Sequence, residues 1–163
     1  MSLQIFLACL RASITLCALT FTCAASYAGI EDGRAALMRA DPVAARAEFE
    51  PLARTGDATA QFEFAMLYSY GRGVVEDKKV ALEWYTKSAN QDYALAQMRV
   101  GEMYLLGDGG VAPNKIQAVA WWLIAQKNGE KLSSKLLHHT LPTLSESDQK
   151  KAILIARQWR PKP

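Results

Sequence analysis

Apolar and small residues recur three and four positions apart through much of this chain, the period of an amphipathic helix rather than a strand. Ala81, Trp84, Tyr85, Ser88 and Ala89 fall at i, i+3, i+4, i+7 and i+8, and Ala118, Trp121, Trp122 and Ala125 share a face in the same way. Read with cap and breaker residues, the period predicts helices over about 29–40, 43–54, 58–69, 78–90, 95–106, 115–127 and 131–139. A last helix carries Ala152, Ile155, Ala156 and Trp159 on one side. Asp32 is expected to cap the first. Asp41-Pro42 opens the second with a capping residue and then proline, whose missing N–H costs nothing at the first helical position. That helix is expected to bury Ala44, Ala47 and Leu52, with Pro51 tightening its last turn and Gly56 closing it in a left-handed conformation. Asp77 is placed to cap the helix at 78. Pro142 stops the one at 131–139. Ser145-Glu146-Ser147-Asp148 reads as a capping box with Asp in the acidic slot.

The same pattern occurs twice. Ala60-Gln61, Leu67-Tyr68, Gly71-Arg72-Gly73 and Val75 return 36 residues later as Ala96-Gln97, Met103-Tyr104, Gly107-Asp108-Gly109 and Val111. Ala81, Trp84 and Tyr85 return 37 residues later as Ala118, Trp121 and Trp122, so one residue is inserted in the loop near Val111–Lys115. A period of this size, with small and aromatic residues in fixed slots, marks a stacked helix-pair repeat.

The slots themselves resemble a known pattern. Ala58, Ala60, Phe64-Ala65, Tyr68, Gly71, Gly73-Val74, Val80-Ala81, Trp84-Tyr85 and Ser88-Ala89 are similar to the Sel-one-like repeat, a relative of the tetratricopeptide repeat. The second copy reads Ala94, Ala96, Val100-Gly101, Tyr104, Gly107, Gly109, Ile116, Ala118, Trp121-Trp122 and Ala125. Ala65 departs from the pattern, which favours Gly there. The resemblance implies an all-α fold, a short right-handed α/α superhelix of antiparallel helix pairs. Residues 29–57 then form a degenerate leading pair, 58–93 and 94–129 the two clear repeats, and 130–163 capping helices over the last apolar face.

In tetratricopeptide-like pairs the first helix of each repeat lines the concave face. Aligned on that basis, Thr59, Phe62, Met66, Ser69 and Tyr70 face inward from the first repeat, and Leu95, Met98, Glu102, Leu105 and Leu106 from the second. This set is apolar for a surface and rich in Met and aromatic residues, which suit adaptable binding faces. Phe62, Met66, Tyr70, Leu95, Met98, Glu102, Leu105 and Leu106 are therefore the expected partner-binding groove. The alternative is that flanking helices cover them and they are core. The implied function is a non-enzymatic module that binds a protein or peptide, its identity open.

Composition adds an address. The first 28 residues hold one basic residue, Arg11, no acidic one, an apolar run over Ala12–Phe21 and a small-x-small site at Ser26-Tyr27-Ala28. This reads as a signal peptide cleaved after Ala28, with export to the periplasm or beyond. The run is shorter than the ~20 apolar residues of a spanning helix, so no transmembrane segment is expected after cleavage. All three cysteines, Cys9, Cys17 and Cys23, lie in this leader, so the remaining chain has no disulfide and no thiol chemistry. Thr22 before Cys23 fits a lipid-modified cysteine poorly. Past the leader, 18 basic and 16 acidic residues leave no basic stripe, and no nucleic-acid partner is expected.

Candidate chemistry is sparse. The two Gly-rich segments have no preceding strand and no G-K-[ST], so they read as turns rather than phosphate loops. His138 and His139 are adjacent, about 100° apart on a helix, and cannot easily share one metal ion. No cofactor site is read. Ser147-Asp148-Gln149-Lys150 matches the S-x-x-K nucleophile motif of penicillin-recognising enzymes, without the companion K-T-G and S-D-N motifs. Because some Sel-one-like proteins are linked to β-lactam binding, the resemblance keeps a cell-wall-related or β-lactam-binding enzyme as the second reading.

Overall fold

A computed structural model describes residues 28–162, and the expected leader with its cysteines lies outside them but for Ala28. The described chain is a run of eight α-helices: α1 over residues 28–38, α2 (Pro42–Thr55), α3 (Ala58–Tyr70), α4 (Lys78–Ala89), α5 (Ala94–Leu106), α6 (Lys115–Lys127), α7 (Leu132–Thr140) and α8 (Glu146–Gln158). Short 3-10 turns occupy Asp108–Gly110 and Leu141–Thr143. Each helix packs on its neighbours in sequence, α2 on α3, α3 on α4, α4 on α5 and α5 on α6, while α7 and α8 both close on α6. That is an α/α solenoid with a terminal cap.

Local chemistry sets the helix ends. Asp57 accepts from Ala60 N at 2.8 Å, Asp77 from Lys79 N at 2.9 Å and Val80 N at 3.0 Å, and Asn114 from Gln117 N at 3.0 Å. Each such cap contributes ~1 kcal/mol. Asp41 caps α2 ahead of Pro42, and Gly56 closes it at φ 104°. Ser145 accepts from Asp148 N, while the Ser145 hydroxyl donates to Asp148 Oδ2, the capping box in altered form.

Two details near the start differ from the sequence reading. α1 is already running at residue 28, so Asp32 lies inside it and caps nothing. The buried stripe of α2 is Ala45, Phe49 and Ala53, one or two positions on from the expected Ala44, Ala47 and Leu52. Phe49 decides this: its ring lies against the bare backbone of Gly33 on α1, where an added Cβ would sit 2.3 Å away. Ala44 and Leu52 flank the stripe half-buried, and Ala47 is exposed. Pro51 is accommodated within α2, which continues to Thr55.

Three apolar clusters straddle successive helix pairs. Phe49, Phe64 and Leu67 join α2 to α3. Phe62, Tyr85 and Val100 join α3, α4 and α5. Trp122, Leu137 and Ala152 join α6 to the cap. Polar ties cross the same joints. Gln61 Nε2 donates to Ala53 O at 3.2 Å, and one period on Gln97 Nε2 donates to Ala89 O at 3.0 Å. Gln91 then donates to Gln61 Oε1 at 2.8 Å, and Asn128 to Gln97 Oε1 at 3.0 Å. The loop glycines nest against the preceding helix. A Cβ on Gly73 would sit 2.8 Å from Pro42 C and O, and one on Gly109 2.8 Å from Lys78 O. Pro42 and Lys78 are the first residues of α2 and α4, so both loops seat on the same part of the helix before them.

Candidate partner-binding site

The expected groove splits along its length. Phe62 is 7% exposed and Met98 4%, so both are core and neither is available to a partner. Phe62 lies 5.5 Å from the Tyr85 ring and 5.2 Å from the Tyr93 ring, covered by the next helix pair. Met98 packs into the α5–α8 cluster. Met66 and Leu105 are half-buried against the same cores. One and two helical turns further along, the stripes emerge. Tyr70 is 49% exposed and Leu106 67%. Leu95, at the opposite end of α5, is exposed apart from them. Open surface from the predicted set therefore gathers at the C-terminal ends of α3 and α5.

There it forms a recess of about 380 Å3 that brings together Ser69 and Tyr70 of α3, Tyr85 of α4, and Arg99, Glu102 and Leu106 of α5. Glu76, Lys78 and Asp108 stand at its edge. Arg72 lies over the Tyr70 ring at 5.4 Å. Lys78 Nζ bonds Asp108 Oδ2 at 2.9 Å, tying the two repeats across the mouth, and this bond raises the Lys78 pKa. Deeper in, Arg99 Nη1 donates to Glu102 Oε2 at 2.8 Å. Burial works against the Arg99 charge, but the Glu102 bond and field outweigh it and raise its pKa.

Two donors in this recess are unmatched. The Tyr85 hydroxyl and Arg99 Nε are both buried with no hydrogen-bond partner among the described residues. Tyr85 is only 1% exposed. The Ser69 hydroxyl stands near without completing a bond, and burial pushes the Tyr85 pKa well up. A buried unpaired donor costs ~1–3 kcal/mol, so each one calls for an explanation. Sequence reasoning missed Arg99 and missed the polar role of Tyr85. Arg99 has no counterpart across the repeat, since Glu63 occupies its slot and binds Arg34 of α1 at 2.8 Å. Tyr85 was legible only as an aromatic core position.

The remaining sequence candidates do not converge. Lys150 Nζ is held by Glu146 Oε1 at 2.6 Å, and Ser147 stands exposed on the first turn of α8. A serine nucleophile needs its base within hydrogen-bond reach, and this lysine is engaged elsewhere. His138 and His139 are exposed with ring centroids 5.5 Å apart. Gly71, Gly73, Gly107, Gly109 and Gly110 all hold positive φ in turns that end α3 and α5.

Helix pairs that stack in sequence, a recess between repeats and no assembled catalytic group among the residues described define a helical repeat protein. The Sel1 repeat matches residues 58–93 and 94–129, so the chain carries two Sel1-like repeats. A protective antigen present in uropathogenic Escherichia coli strains, displaying an SLR fold, superposes with a TM-score of 0.77 at 28% identity over 82% of this chain and 29% of its own. A Sel1 repeat protein from Oxalobacter formigenes superposes at 0.57 with 34% identity over 60% of this chain and 28% of its own. Chitin synthase regulatory factor 3 of Schizosaccharomyces pombe is 34% identical over 68 residues, 40% of this chain and 7% of that protein. The chain thus spans less than a third of each of these relatives. Sel1 repeats act as protein–protein interaction modules.

Proposed function

We propose that this chain is an exported, non-enzymatic module that grips a segment of another protein in the recess between Tyr70 and Leu106. The observation that carries the reading is the recess itself, in which the exposed Tyr70 and Leu106 flank Ser69, Arg99 and Glu102. A segment laid across the recess packs an apolar side chain on Tyr70 and Leu106 and meets the polar lining at Ser69 and Glu102, the usual division between affinity and orientation in peptide recognition. Export, to the periplasm or the medium, rests on the leader composition over residues 1–28.

The test is affinity capture from envelope extract with wild type and the double variant Tyr70→Ala/Leu106→Ala, both checked for helicity and melting temperature. A partner held by wild type and lost from the folded double variant is the expected result. Identical capture by both, or by neither, rejects the recess. Fractionation with mass spectrometry of the mature N-terminus tests the address: a start at Gly29 is expected, and an intact leader or a lipid on Cys23 overturns it.

A further inference from the structure

A second recess, sharing no residue with the first, lies between α6, α8, the turn at Asp92 and the tail after α8, with a volume of about 510 Å3. The tail is a fixed wall. Lys162 N donates to Asn90 O at 2.8 Å, and Trp159 lies edge-on to Trp121 with centroids 6.1 Å apart. The floor is apolar: Leu123 and Trp159 are half-buried there, and Ile153 is 36% exposed. The rim is cationic. Lys127, Arg157 and Arg160 line it, and none of them forms an ion pair among the described residues. The lone carboxylate in the lining, Asp92, accepts from Asn128 Nδ2 at 2.8 Å. Arg160 is set in place by its own backbone. Its Nη1 donates to Arg157 O and Trp159 O, both at 2.7 Å, which leaves Nε and Nη2 to face a ligand.

An apolar floor ringed by unpaired cations is matched by one chemistry. The geometry points to a docking site for an acidic peptide segment with a bulky apolar side chain, which enters over Ile153 and Trp159 while flanking carboxylates meet Arg157, Arg160 and Lys127. Complementary charge of this kind sets register and on-rate, and the apolar anchor sets affinity. A peptide fits better than an anionic bilayer, because a flat lipid surface leaves a recess unfilled, whereas a pocket of this size takes side chains.

The test is selection of a phage-displayed random-peptide library on the immobilised protein, followed by titration of the fluorescein-labelled consensus peptide. The comparison variants are Arg157→Glu/Arg160→Glu, Ile153→Asp and, at the other recess, Tyr70→Ala/Leu106→Ala, each checked for wild-type helicity and melting. Enrichment of Asp or Glu around Leu, Phe or Trp is expected, with affinity falling about tenfold or more in the charge-reversed and Ile153 variants as two or more contacts are lost. Affinity should also fall with salt and stay unchanged in the Tyr70/Leu106 variant. A consensus without acidic residues, no enrichment, or equal binding by the charge-reversed protein overturns the proposal. So does binding to phosphatidylglycerol vesicles with no peptide selected. Loss of binding only in the Tyr70/Leu106 variant assigns the selected peptide to the first recess and overturns this one.

Discussion

A Cβ at Gly101 would stand 2.5 Å from Trp122 Nε1 and 2.6 Å from its Cδ1, and the indole donates to Met98 O at 3.1 Å. In the first repeat the same slots hold Ala65 and Tyr85, a slightly larger small residue with a smaller ring. Gly101→Ala should therefore cost about 1–3 kcal/mol by overpacking, and Trp122→Tyr in the same chain should restore part of it. Urea unfolding of the four proteins in a double-mutant cycle checks this, since strictly additive losses would mean that the pair is not coupled. Tyr85→Phe should act in the opposite sense. It removes a buried hydroxyl without a partner, so stability should rise by about 1 kcal/mol in the same urea unfolding. The pH dependence follows. Burial keeps the Tyr85 hydroxyl protonated in the fold, whereas an unfolded tyrosine ionises near about pH 10. Above that pH the unfolded state gains and the folded state does not, so stability falls as pH rises, and Tyr85→Phe should flatten the slope. At this scale the small–aromatic pairing was legible because it recurs. The split of the groove was not, because helical period gives a residue's face but not how far the next pair overlaps it. Phe62 and Tyr70 lie on one stripe and differ only in that overlap.

Helix ends were legible where a chemical signal stood at the boundary, as Asp41, Asp77 and Gly56 show. The rotation of α2 was missed because its sequence offers several alanines and only the ring of Phe49, docked on Gly33, fixes which face turns inward. Gln61 and Gln97 are the other omission. Their return after 36 residues was read, but not their buried bonding role, because a polar residue does not register in an apolar pattern. Gln97 is fully buried and bonded to both Ala89 O and Asn128 Nδ2. Gln97→Ala removes both bonds and opens a void, while Asp92 still holds Ala89 O and Asn128 Nδ2, and should cost about 2–4 kcal/mol in chemical unfolding. A loss under about 1 kcal/mol would show that the joint between α4, α5 and the turn after α6 is held by apolar contact alone.

Across the whole molecule, contacts run between neighbours, so stability should behave as a sum of units and joints. Ala152 of α8 is fully buried beneath the cap. Ala152→Asp places a charge there and should release the cap, lowering stability by roughly 3 kcal/mol or more. Hydrogen exchange should then quicken most in α5 and α6 and least in α2 and α3. Uniform quickening would mean that the stack melts as one unit. The order of the helices and the need for a cap were legible from the repeat and the last amphipathic segment. The binding recesses were not. One depends on which end of α3 and α5 emerges from cover, and the other on the tail reaching Asn90, a contact between residues 72 apart in sequence.

The seating of Gly73 on Pro42 and of Gly109 on Lys78 also governs where the chain tolerates a change of length. An extra residue before the seat would carry the glycine off its contact and push a side chain into the backbone of the preceding helix. After the seat Val111 packs on the core and Pro113 lies against Gly107, with Ala112 exposed between them, and the one-residue insertion of the second repeat falls in this stretch. Asp77 N reaches Tyr68 O, and Asn114 N reaches Tyr104 O, one residue later in count but at the same point in space. The exposed turn at Ala112 is thus the place to graft a tag or a reporter loop, because added length there bulges outward and leaves the spacing of the stack unchanged.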